Sequence, residues 1–255
     1  MAIVTMLSDF GERDGYVAAM KGVVLSLAPS AVVVDAGHAV PRGDVEAAAF
    51  VIFQYSSLFP AGTVHLAVVD PGVGGDRRAL SLEVDGRFVV APDNGLVSRV
   101  LRAAASWRGV QISDPDVFRS PTSSTFHGRD IFAPAAGHLA GGGSLADLGP
   151  PLADPVLLDR VDPHREDGAV YGRVVHTDRF GNLISDIPAD WVDGRYRFRV
   201  EGRDVGPLRA SYSDVPSGQP VVLIGSLGTV EVAVRDGSAT ASLGVERGAA
   251  VLGTR

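Results

Sequence analysis

The stretch VHLAVVDPGVGGDRR, Val64 to Arg78, constrains the fold most. Its first half is a continuous apolar run, the pattern of a strand buried on both faces in a parallel sheet covered by helices. The run stops at Asp70, and the turn Pro71-Gly72-Val73-Gly74-Gly75 follows. In open α/β sheets ligands bind outside the carboxyl ends of strands. The Asp70 end of this strand is therefore read as the rim of a site.

The residues before it supply the rest of such a sheet. Ala2–Leu7 reads as a strand, and Ser8-Asp9-Phe10-Gly11 as the loop feeding a helix that begins near Asp14. Tyr16, Ala19, Met20, Val23 and Leu27 recur at helical spacing, and Pro29 stops that helix. Ala31–Ala36 is a second strand, Gly43–Phe59 a second amphipathic helix, and Thr63–Asp70 the third strand. This βαβαβ opening predicts a mostly parallel sheet sandwiched by helices. After Arg78 two alternating strands are joined by Asp85-Gly86, a tight-hairpin dipeptide. A helix over Leu96–Ala105, a strand around Val110–Ile112, a polar loop over Ser120–Thr125 and a helix from about Asp130 to Leu139 complete this half. Gly141-Gly142-Gly143, Pro150-Pro151, Pro155 and Pro163 mark a linker. Beyond it short alternating runs such as AVYGRVVHT, YRFRVEG, PVVLIGS and TVEVAV predict a small barrel or sandwich. The expected class is thus α/β, with an N-terminal domain over residues 1–158 and a C-terminal all-β domain over 165–255.

Composition removes several chemistries. The chain of 255 residues has no cysteine, so disulfides, thiolate nucleophiles and cysteine-held zinc are excluded. A net charge of −7, with no basic run, argues against nucleic acid or anionic lipid as main partner. No apolar stretch approaches the roughly 20 residues of a membrane span, and no leader opens the chain. A soluble, unprocessed, cytoplasmic protein acting on a small ligand is expected.

Polar groups that the parallel topology gathers at one sheet edge are Asp9, Asp70 and His127, the last within Thr125-Phe126-His127-Gly128-Arg129-Asp130. Arg77 and Arg78 follow Asp70 across a flexible turn, so that one of them can fold back onto it. The glycines lack the G-x-G-x-x-G order and the following helix of a phosphate cradle. Asp9, Asp14, Asp70 and His127 do not follow a metal-ligand spacing, and the nearby arginines oppose a cation. His38, His65, His138, His164 and His176 are read as structural. In the second half Asp178-Arg179-Phe180-Gly181-Asn182 and Ser211-Tyr212-Ser213-Asp214-Val215-Pro216 place polar and aromatic groups on turns.

Taken together, these segments resemble the S-adenosyl-L-methionine (SAM) hydroxide adenosyltransferases, or SAM hydrolases, relatives of the fluorinating and chlorinating enzymes. The likeness is carried by SDFG at Ser8–Gly11, GTVHLAVVDPGVG at Gly62–Gly74, APDNG at Ala91–Gly95, FHGRDIFAP at Phe126–Pro134, DRFGN at Asp178–Asn182 and YSDVP at Tyr212–Pro216. It implies an α/β domain followed by a β-barrel, and a homotrimer with its sites at subunit interfaces. It implies hydrolysis of SAM at the 5′ carbon to adenosine and L-methionine, with no cofactor and no metal. The family's catalytic set falls on Asp70, Arg77 and His127, with Arg78 the substitute if the turn is one residue off. Asp9 would hold the ribose hydroxyls, Asp178 the methionine ammonium, Asn182 and Tyr212 the adenine, and the Ser226 loop the carboxylate. Halide-using relatives carry an uncharged residue in place of the strand-end aspartate, a bulky aromatic at the position of Gly43 and an arginine at that of Leu227. Asp70 therefore favours water over halide. The rival expectation is a SAM- or adenosine-binding sensor with negligible turnover.

Overall fold

The computed structural model describes residues 1–255, and the chain divides into two compact units, Met1–Asp159 and Arg160–Arg255. In the first, β1 (Ile3–Ser8), β2 (Val32–Gly37) and β3 (Val64–Val68) are separated by α1 (Tyr16–Leu27) and α2 (Val45–Ser56). The hairpin β4 (Ala79–Val84) and β5 (Arg87–Pro92), α3 (Ser98–Ala103), β6 (Trp107–Gln111) and α4 (Ala133–Ala140) follow. The sheet order is β2-β1-β3-β5-β4-β6. β1 pairs in parallel with β2 and β3, and β3 with β5, while β4 runs antiparallel to β5 and β6.

Alternation along the strands sorts the core into two layers. Val64, Leu66 and Val68 of β3 join Val4, Met6, Met20, Val24 and Ala136 on the α1/α4 face. Ala67 and Val69 join Leu7, Ile52, Leu96 and Leu101 on the α2/α3 face. Each fully buried Leu or Val contributes about 1.5–3 kcal/mol of hydrophobic stabilisation, so the double burial of β3 fixes both its register and the position of its end.

Local chemistry explains where elements stop. Asp44 caps α2, accepting from Ala47 N at 2.9 Å, so this helix starts at Val45 rather than Gly43. Asp85 and Gly86 both take positive φ, 47° and 77°, the turn that matches the twist of the β4/β5 hairpin. β3 ends at Val68, two residues before Asp70, because the chain bends there into the glycine turn. The helix expected from Asp130 begins instead with a π-helical turn over Gly128–Phe132 that leads into α4.

The second unit is one antiparallel sheet. Its strands are β7 (His164–Glu166), β8 (Ala169–Thr177), β9 (Leu183–Pro188), β10 (Arg197–Val200), β11 (Arg203–Pro207), β12 (Pro220–Ile224), β13 (Thr229–Val234) and β14 (Ala250–Thr254), with a short helix, α5 (Ala239–Leu243), before the last. The order is β11-β10-β14-β8-β9-β13-β12, with β7 beside β8. Arg209 N donates to Val222 O at 2.7 Å and so joins the two edges, making a nearly closed barrel. Val170, Leu183, Phe198, Val230 and Val232 fill its interior.

Candidate active site

The bend after β3 presents Asp70, and the turn behind it returns Arg77. The Arg77 guanidinium grips Asp70 with Nε at 2.9 and 3.0 Å from the two carboxylate oxygens and Nη2 at 2.5 Å from Oδ2. Gly72 makes room for this return, since a Cβ there would stand 3.2 Å from Arg77 Cγ. Gly74, at φ +77°, serves a different approach. A Cβ on it would lie 2.4 Å from the Ser124 carbonyl, so the turn packs backbone to backbone on the loop before His127.

The same Nη2 donates to His127 Nδ1 at 2.6 Å, and the guanidinium carbon lies 5.2 Å from the centre of the Phe132 ring. A π-helical turn brings residues five apart onto one side, which is how His127 and Phe132 both face Arg77. Guanidinium has no acceptor, so His127 Nδ1 must accept and a neutral imidazole carries its proton on Nε2. Burial, and then the Arg77 charge, hold His127 below the usual histidine range against the pull of Asp70 and Asp130. The Asp70 and Arg77 side chains are only 5% and 12% exposed, so the pair is poorly screened.

Arg78 goes elsewhere. It stands next to the β4/β5 ladder, opposite Asp93, with Nε to Asp93 Oδ2 at 2.7 Å and Nη1 to Asp154 at 2.8 Å. Asp130, buried, is held by Arg129 at 2.7 and 2.8 Å and receives Ser123 N at 2.9 Å, which anchors the loop leading to His127. Asp9 receives Gly43 N on Oδ2 at 2.8 Å; a Cβ on Gly43 would sit 3.7 Å from that of Pro71, so the Asp9 and Asp70 loops are neighbours. His38, buried, bonds Ser8 Oγ at 2.8 Å and Asp35 at 3.0 Å, and its carbonyl accepts Gly11 N at 2.8 Å. It thus braces the Ser8–Gly11 loop from beneath.

In the second unit Asp178 closes its own turn. Oδ1 accepts from Phe180 N and Asn182 N at 2.9 Å each, and Oδ2 from Asn182 Nδ2 at 2.9 Å. Asn182, Tyr212 and the exposed ring of Phe180 line an open depression of about 770 Å³. Tyr212 donates to Glu231 at 2.5 Å, and Ser226 is exposed on the β12–β13 turn beside Gly225. Glu231, Phe132 and His38 were not singled out from the sequence as site residues. Glu231 alone left a signal there, an acid interrupting the apolar run Thr229–Val234. No three His, Asp or Glu side chains converge as a metal-binding group.

The chain is similar to known proteins over most of its length. Residues 4–149 match the SAM hydroxide adenosyltransferase N-terminal domain, and residues 172–252 the C-terminal domain. The chain belongs to the SAM hydroxide adenosyltransferase family. Among family members, the (R)-S-adenosyl-L-methionine hydrolase of Thermus thermophilus is 42% identical over 97% of this chain and 98% of its own. That of Salinispora arenicola is 40% identical over 96% and 95%. A fluorinase of Nocardia brasiliensis is 31% identical over 72% of this chain and 71% of its own. A crystal structure of an uncharacterised conserved protein from Thermotoga maritima superposes with a TM-score of 0.93 at 34% identity, covering 99% of this chain and all of the other.

Proposed function

We infer that this protein is a SAM hydrolase that releases adenosine and L-methionine. The observation that carries the mechanism is the fork of Arg77, which joins Asp70 and His127 through one guanidinium at a strand end. A sulfonium carbon is already electrophilic and its leaving group departs as a neutral thioether, so the reaction needs a placed and activated water rather than a general acid. Water forms the new O–C5′ bond while the C5′–S bond breaks, its electron pair remaining on methionine sulfur. Asp70 takes the water proton. His127, with Nδ1 occupied by Arg77, orients the water through Nε2–H, and alignment alone supplies several kcal/mol of the barrier reduction.

Asp9 binds the ribose hydroxyls through the oxygen not used by Gly43, Asn182 and Tyr212 bind the adenine, Asp178 the methionine ammonium, and the Ser226 turn the carboxylate. The Asp70 carboxylate disfavours a halide nucleophile in its place, since like charges at contact in a poorly screened site repel by about 4 kcal/mol. The enzyme works without cofactor or metal, as a homotrimer, in the cytoplasm. Incubation of the purified protein with SAM in ¹⁸O-water tests the reading. The label should enter the 5′-hydroxyl of adenosine, chloride should give no 5′-chloro product, and chelator should leave the rate unchanged. Absence of adenosine and methionine above a blank rejects hydrolysis, and a sedimentation mass of one subunit rejects the trimer.

A further inference from the structure

Glu231 is an unusual residue to keep where it is. It sits in β13 between Ile184 of β9 and Leu223 of β12, and it is 8% exposed. Its neighbours Val230 and Val232 turn into the barrel core. A carboxylate this deep is costly unless its oxygens are used, and a barrel needing only packing would do as well with leucine.

One of its oxygens is used in a hydrogen bond. Oε1 accepts the Tyr212 hydroxyl at 2.5 Å. Oε2 lies close to Gly225, where a Cβ would come within 2.6 Å of it. Burial, with the charge of Asp178 adding, raises the Glu231 carboxyl, against the opposing bond from Tyr212. Tyr212 in turn is pushed up to about 12 by burial and by Glu231. The phenol therefore stays protonated and donates. Through these contacts Glu231 stands between Tyr212 and the turn that bears Ser226, within the field of Asp178.

The Tyr212 ring is 45% exposed and lines the depression it shares with Phe180 and Asn182. An exposed ring held only by packing samples several rotamers, and binding then has to order it. A ring tethered at its hydroxyl is already set.

We propose that Glu231 is a positioning residue, which fixes the Tyr212 ring as a preset face for the purine end of the substrate. This rests on the reading that SAM is the substrate and that Tyr212 meets its adenine. Steady-state kinetics on the full-length enzyme test it. Glu231→Leu should raise KM for SAM about tenfold, with the change falling on KM rather than kcat. Glu231→Gln, whose amide oxygen still accepts the phenol, should return KM to within about threefold of wild type. The inhibition constant of adenosine should rise in step with KM, and that of methionine should not. Tyr212→Phe removes the same bond from its exposed end and should reproduce the rise of Glu231→Leu, which decides the matter if the buried substitution prevents folding. A wild-type KM in Glu231→Leu or in Tyr212→Phe overturns the proposal, as does a Glu231→Gln enzyme no better than Glu231→Leu. Failure of the wild-type protein to hydrolyse SAM is a separate result that removes the underlying reading.

Discussion

The two ends of the first unit's sheet each hold a histidine kept from protonating, and they are built for opposite ends. At the amino end His65 of β3 is fully buried, with Nδ1 2.8 Å from Thr5 Oγ1 and the rings of Tyr55 and Phe59 edge-on at 5.6 and 5.7 Å. Burial, reinforced by the Arg87 charge, pulls it to about 4. At the carboxyl end His127 is only half-buried, and the cation that disfavours its protonation is a direct hydrogen-bond partner. A displaced histidine therefore does not by itself mark a reactive site. What separates the two is a charged partner that fixes one ring nitrogen, the other being the one the proposed mechanism assigns to the attacking water.

Substitution at the two ends should separate function from stability. Asp70→Ala should lower kcat by about 10²-fold to 10⁴-fold, the usual worth of a general base, and His127→Ala by at least about tenfold. Thermal melts should show the fold retained in both. His65→Ala should instead cost about 3 kcal/mol of stability, as large-to-small changes in a packed core do, with turnover per folded molecule kept. Wild-type rates in Asp70→Ala and His127→Ala would break the comparison at its functional end.

The amino end also predicts acid sensitivity. In the unfolded chain a histidine titrates near 6.5, whereas folded His65 titrates near 4. The unfolded state thus binds the extra proton between these values, and stability present above pH 6.5 is lost as pH falls toward 4. The full loss is about 3 kcal/mol at 1.36 kcal/mol per pH unit. Denaturant melts from pH 7 to 4 should show this slope, and His65→Leu should flatten it.

Much of this arrangement was legible in the sequence because it follows from strand periodicity. A strand buried on both faces that stops at an acid leaves few places for Asp70, and the parallel order of β1 and β3 brings the Asp9 loop alongside. The choice between Arg77 and Arg78 was not legible, because the two are adjacent and chemically identical. The β4/β5 register governs which of them meets Asp70. Ala79 pairs with Pro92, which sets Arg78 against Asp93 and leaves Arg77, one residue beyond the ladder, to turn back to Asp70. β11 and β14 carry no clear alternation, because glycine, proline and charge interrupt RDVGP and a glycine interrupts the short AVLGT. The partnership of Glu231 with Tyr212 joins residues 19 apart across a barrel surface, which no local pattern encodes.

That register predicts a smaller contrast between the neighbouring arginines. Arg78→Met leaves the Asp93 carboxylate, 1% exposed, without its cation. Val156 N still donates to it at 2.7 Å, so the cost should be about 2 kcal/mol of stability rather than the larger loss of a fully unpaired buried charge. Turnover should stay within about threefold of wild type. Equal loss of turnover in Arg77→Met and Arg78→Met would contradict the assignment of Arg77 to the site.

The smallest expected effect bears on how the cation governs His127. Protonation would bring a second positive charge against Arg77 and take away the acceptor at Nδ1, so the imidazolium cannot keep the site assembled. The rate should therefore be flat near neutrality and fall on the acid side with a midpoint below 6.5, the ordinary histidine value. Arg77→Met removes the charge that disfavours protonation and leaves the favourable field of Asp70. The midpoint of its residual activity should then move up. The pH profile of kcat/KM in the two enzymes measures this directly. An unmoved midpoint would mean that burial alone keeps His127 neutral, and the distinction from His65 would then rest on access rather than on charge.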